Sequence, residues 1–135
     1  MRSLAFILAL FSAAAFAALP PQYYEQARRD ADTIIVIEVA NVGDPPTTQG
    51  FGTCVVQGRV IGVLRGSQYA NGAPVRINVP CRFRNAPIPA GGVVYQDFEI
   101  LQRARYGRAY LAPGGELALY QYEILNQWTG PLPTP

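Results

Sequence analysis

An all-β fold with minor helix, built as a small five-stranded Greek-key barrel, is what this sequence predicts, and three observations predict it. β-Branched residues crowd short runs, above all Ile34-Ile35-Val36-Ile37. Glycines recur inside the longest run, at Gly58 and Gly62, where a strand coils or bulges to turn a barrel's corner. Helix-forming composition is confined to short stretches outside those runs. A β-sandwich is the alternative architecture.

Residues 1–17 read as an export signal. Arg2 supplies the positive start, Leu4 to Phe11 the apolar core, and Ala15-Phe16-Ala17 the small residues at a cleavage boundary. The apolar run is shorter than the roughly 20 residues that span a bilayer, so cleavage near Ala18 is expected rather than anchoring. About 118 residues then remain, enough for one domain, 18–128, and too few for two. The chain has 11 basic and 9 acidic residues, every basic one an arginine, with no lysine or histidine. So balanced a charge argues for neither nucleic acid nor anionic lipid as a partner. No stable membrane insertion is expected, and the protein is expected in the periplasm or secreted.

The elements follow in order. Tyr23 to Asp32, entered from Pro20-Pro21, suits a short helix. Thr33 to Val42 reads as a strand buried on most of both faces, ended by Gly43-Asp44-Pro45-Pro46. Thr53 to Arg65 is the long glycine-containing strand. Val75, Ile77 and Val79 alternate with Arg76, Asn78 and Pro80, the period of a half-buried strand. Two cysteines, Cys54 and Cys81, in a small exported domain predict one structural disulfide. A tight turn at Asn71-Gly72 would throw that pair out of register. A wider loop over Gly66 to Gly72, centred near Tyr69, brings the cysteines within about three positions of opposition.

Arg82 to Gly92, with Pro87, Pro89 and Gly91-Gly92, reads as an irregular crossover, and Asp97 to Arg103 is open between a short helix and an extended segment. Arg105 to Ala112 and Glu116 to Leu125 flank Pro113-Gly114-Gly115 as a terminal hairpin. Trp128 is placed to fold back on the barrel. Residues 129–135 hold three prolines and no core pattern, which predicts a frayed tail. Five strands with a glycine-rich long second strand fit the oligonucleotide/oligosaccharide-binding (OB) type of barrel.

A family resemblance rests on four stretches: Ala31-Asp32-Thr33-Ile34-Ile35-Val36-Ile37-Glu38-Val39; Gly58-Arg59-Val60 through Val63-Leu64-Arg65-Gly66; Val75-Arg76-Ile77 ending in Cys81; and Gly107-Arg108-Ala109-Tyr110-Leu111. In that order they resemble bacterial exported relatives of the netrin-like fold, the barrel shared with tissue inhibitors of metalloproteinases. The resemblance implies a barrel that binds or inhibits. Those inhibitors carry a cysteine at the mature amino terminus whose backbone reaches a protease zinc, and a chain beginning near Ala18 has none there. Inhibition by that route is not implied.

Catalytic chemistry is narrowed by residue type. Without histidine or lysine there is no Ser-His or Cys-His pair, no Schiff-base lysine and no imidazole metal site, so no cofactor or metal is expected. Asp97 and Glu99, two residues apart, would share a face if extended and are the acid/base pair to watch, though two solvated acids explain them as well. Asp30 and Asp32 beside Arg28 and Arg29 read as helix-end charges, since a hard cation needs more oxygen ligands than this segment offers.

Two segments interleave arginine with aromatics, Arg82-Phe83-Arg84 and Arg103 to Tyr110. Guanidinium groups and ring faces are frequent interface anchors. If Arg103 to Tyr110 is one strand, Arg103, Arg105 and Gly107 share an outward face, while Tyr106 and Tyr110 fill the barrel. Arg108 then either lies beyond a bulge near Gly107 or reaches an acidic partner such as Glu116 or Glu123. Arg82, Arg84, Arg103 and Arg105 are accordingly the candidate binding residues. The sequence thus reads as an exported, non-catalytic binding or inhibitory module for an envelope protein or polysaccharide. A carboxylate-dependent envelope enzyme or a structural envelope component is the alternative.

Overall fold

A computed structural model describes residues 19–44, 46 and 48–130. The expected signal segment 1–17 and all but the first two residues of the expected tail lie outside them. The described chain runs α1 (Pro21–Asp30), β1 (Thr33–Gly43), β2 (Phe51–Arg65), β3 (Pro74–Arg82), β4 (Gln96–Asp97), α2 (Phe98–Arg103), β5 (Tyr106–Leu111) and β6 (Leu117–Leu125). Among the described residues these strands form one sheet in the order β4-β3-β2-β1-β5-β6.

The order follows from the connections. β1, β2 and β3 form an antiparallel meander, and the long 83–105 connection returns the chain to lay β5 antiparallel along β1. Three consecutive strands with the next long one beside the first make a Greek key. The sheet curls until its end strands meet: Gln96 Nε2 of β4 donates to the Tyr122 carbonyl of β6 at 3.0 Å. The fold is therefore all-β and barrel-like. It has six strands instead of the expected five, because β4 is a two-residue parallel addition to Cys81 and Arg82, too short to carry any periodic pattern.

Strand alternation builds the core. Val75, Ile77, Val79 and Cys81 of β3 are buried while Pro74, Arg76 and Asn78 are exposed. Ile35 and Ile37 of β1 meet Val56 and Val60 of β2, and Phe98 and Leu101 of α2 join the same cluster. The Cys54–Cys81 disulfide lies inside it, with Cα atoms 5.7 Å apart. Such a bond belongs to an oxidising, non-cytoplasmic environment. No described helix is long and apolar enough to cross a membrane.

The β2–β3 hairpin differs from expectation in its centre. Cys54 pairs with Val79 and Gly52 with Cys81, which puts the centre midway between Gly66 and Ser67 rather than near Tyr69. β2 outruns β3: its last residues pair with β1 alone, down to Arg65 opposite Ile34, so the loop is lopsided.

The segment from Arg103 to Tyr110 is a second correction. Asp97 to Arg103 resolves as β4 and α2, so Arg103 ends a helix and β5 begins only at Tyr106. Gly107 and Ala109 pair with Ile37 and Ile35, and residues directly opposite share a face, so Gly107, Ala109 and Leu111 point inward. Tyr106 is half-buried on the other side. Tyr110 is buried there with Ala31 and Ile34, and its hydroxyl donates to Glu123 Oε1 at 2.6 Å. Burial, reinforced by that bond, pushes the Tyr110 phenol up. Arg108 does find Glu123, at 3.3 Å.

The interior position is taken instead by Tyr122, whose hydroxyl occupies the space a side chain at Gly107 would need. That hydroxyl has no hydrogen-bond partner among the described residues, and burial pushes its ionisation well above the ordinary phenol value. Below pH about 10 the folded and unfolded chains both keep the proton; above it only the unfolded chain ionises, so stability falls with further rise in pH. Tyr122→Phe is expected to raise stability at neutral pH by about 1 kcal/mol, by removing an unsatisfied buried group, and to shrink the alkaline loss. Urea unfolding at pH 7 and above pH 10 checks both. A variant less stable at pH 7 with the same alkaline loss would contradict this account of the hydroxyl.

α1 buries none of its residues and is held by polar clasps. Arg65 Nη1 donates to the carbonyls of Arg28, Arg29 and Ala31, at 3.3, 2.7 and 2.9 Å, satisfying oxygens that a helix end leaves without partners. Arg28 also lies 3.6 Å from Glu123. Trp128 folds back as expected and covers Gly62.

A candidate binding groove

A groove of about 840 Å³ opens where β1, β2 and β3 run side by side around Gly58. Gly58 is required there: a Cβ would strike the Glu38 carbonyl oxygen and the Ile37 Cγ2 of the adjoining strand. The register skips Ala40 between the Val39–Gly58 and Asn41–Gln57 pairs, so Ala40 is the extra residue of a bulge and is exposed on the groove wall. Bulges of this kind bend a strand and re-aim its side chains.

Charge is concentrated at this bend. Arg59 Nε donates to Glu38 Oε1 at 3.1 Å. Arg105 Nη2 lies 3.8 Å from Glu38 Oε2, and its guanidinium sits 5.3 Å from the centre of the Tyr106 ring. Arg76, exposed on β3 opposite Gln57, has no ion-pair partner among the described residues. Two guanidinium groups thus share the Glu38 carboxylate, and a third, Arg76, lines the same groove with the exposed apolar residues Ala40 and Pro74.

The four arginines singled out by sequence are distributed differently. Arg105 reaches the groove through Glu38, whereas Arg103 turns back onto its own helix, with Nε donating to the Glu99 carbonyl at 3.3 Å. Arg82 ends β3, half-buried beside Asp97. Arg84 is exposed in the turn that follows. The ring between them is structural: Phe83 packs edge-on against Phe98 of α2, with centroids 5.6 Å apart. Arg59 and Arg76 were missed because only hairpin register makes them neighbours. The available signals were Gly58 beside Arg59 in mid-strand and Arg76 on the wet face of β3.

Asp97 and Glu99 do not share a strand face. Asp97 caps α2, its Oδ1 accepting the backbone N–H groups of Glu99 and Ile100 at 2.9 and 3.1 Å, the usual work of an aspartate at a helix start. Among the described residues no three His, Cys, Asp or Glu side chains converge as metal ligands. Against known protein families, curated proteins and solved structures, the chain matches none.

Proposed function

We propose that the chain is an exported, non-catalytic binding module, kin to the netrin-like barrels, which engages an envelope protein or polysaccharide with the groove on β1, β2 and β3. The observation that carries this reading is the pairing of Arg59 and Arg105 with the single carboxylate of Glu38 in a groove that Arg76 also lines. Barrels of the OB type bind oligomeric ligands on the face of their second and third strands, and the groove lies on that face. The buried disulfide suits export. The Greek-key order is what kinship with such barrels requires.

The test is capture from an envelope fraction by immobilised protein. Arg103→Ala with Arg105→Ala is expected to cost under about 1 kcal/mol of stability, since neither side chain is buried and exposed ion pairs are worth little. The same double variant is expected to weaken partner capture. Undiminished capture by the folded variant, and by an Arg59→Ala plus Arg76→Ala variant, would remove the groove from the reading.

A further inference from the structure

Resting on that reading, we infer that the groove's ligand is an extended acidic segment of a partner protein, in which carboxylates flank a small apolar side chain. The charges require an anion. Glu38 is shared by Arg59 and Arg105, and Arg76 has no carboxylate among the described residues. Guanidinium forks match carboxylates with two parallel hydrogen bonds, which selects planar oxyanions over neutral ligands.

The remaining surface favours a peptide over an acidic sugar chain. Between the arginines the exposed lining residues Ala40 and Pro74 are small and apolar, which suits an aliphatic side chain. A saccharide would bring several hydroxyls per ring, and Gln57 is the one neutral polar side chain among the lining residues. None of those residues offers an aromatic face for a sugar to stack on. Ala40, the extra residue of the bulge, has no register partner on β2 and stands exposed on the groove wall just past the Val39 N–H that donates to the Arg105 carbonyl at 2.8 Å. The segment would lie across the bend, since β1 and β2 are interior strands with no free edge to extend, while β3 pairs with β4 only at Cys81 and Arg82.

The probe is a capped hexapeptide of alternating glutamate and valine, compared with its glutamine analogue and with trigalacturonate, by backbone amide shifts of the oxidised protein. The acidic peptide is expected to move the amides of Ala40, Gln57 and Arg76. Arg76→Ala is expected to weaken binding about tenfold, the scale of one charge-assisted bond partly open to water, and the glutamine analogue, which loses every carboxylate, by at least as much. Arg76 has no ion pair to lose among the described residues, so this variant should keep its fold, which unchanged amide dispersion verifies. Equal binding of the glutamine analogue, no effect of Arg76→Ala, or no binding of the peptide would overturn the inference. Trigalacturonate bound more tightly, and lost with Arg76→Ala, would overturn the peptide while sparing the groove. Shifts confined to residues outside the groove would overturn both.

Discussion

Replacing Cys54 and Cys81 together by alanine is expected to lower the unfolding free energy by about 3.5 kcal/mol, mostly by freeing the unfolded chain. The bond closes a loop of sequence separation 27 that contains most of the β2–β3 hairpin. In the chain-entropy model a loop of this length accounts for that value alone. Both cysteines are fully buried in the core, so the lost sulfur contacts add to the loss. For a domain whose whole stability is of order 5–15 kcal/mol, the change is large. Urea unfolding should show a lower midpoint and a steeper denaturant dependence, because an uncrosslinked unfolded chain exposes more surface. A loss below about 1 kcal/mol would mean that the bond contributes little to holding the hairpin.

Gly58→Ala should cost about 3 kcal/mol, whereas the same change at Gly52 should be nearly neutral. The contrast lies in what the new methyl meets. At Gly58 it strikes the Glu38 carbonyl, a backbone atom of the paired strand, so β1 and β2 must part at the bend. At Gly52 it meets nothing within 4 Å. Gly62→Ala falls between them, since its obstacle is the Trp128 ring, a side chain near the chain's end that can shift. Because Gly58 underlies the groove, its substitution should also move Glu38 and Arg59 and disturb binding. Thermal unfolding of the three variants checks the order, and equal losses at Gly58 and Gly52 would refute the close approach.

Much of the scaffold was legible because β-branched runs report burial directly. Thr33 to Val42 and the alternation at Val75, Ile77 and Val79 became β1 and β3 with their faces as expected. The disulfide was legible from composition and compartment. Register was not, and the candidate site was lost with it. A hairpin centred near Tyr69 sets Arg76 opposite Gly62, far from Arg59. The actual register sets it opposite Gln57, diagonal to Arg59 and beside the groove. Nothing local marks where β2 outruns β3, since that is decided by its pairing with β1. The inward face of β5 was misread for a related reason. Treating Arg103 as part of a strand fixed the parity of Tyr106 and Tyr110, while the cap at Asp97 makes that stretch helical. Arg105 remained a candidate through its contact with Glu38, which no periodicity predicts.

Site-specific photo-crosslinking in the producing cells would show whether a partner binds in the groove on β1, β2 and β3. A photoreactive residue would replace Gln57, which lines the groove, or Gln22, which is exposed on α1. A discrete adduct is expected from position 57, one that disappears when Arg76→Ala is added, and none from position 22. An adduct from position 22 with none from 57, or one from 57 that persists unchanged with Arg76→Ala, would contradict it.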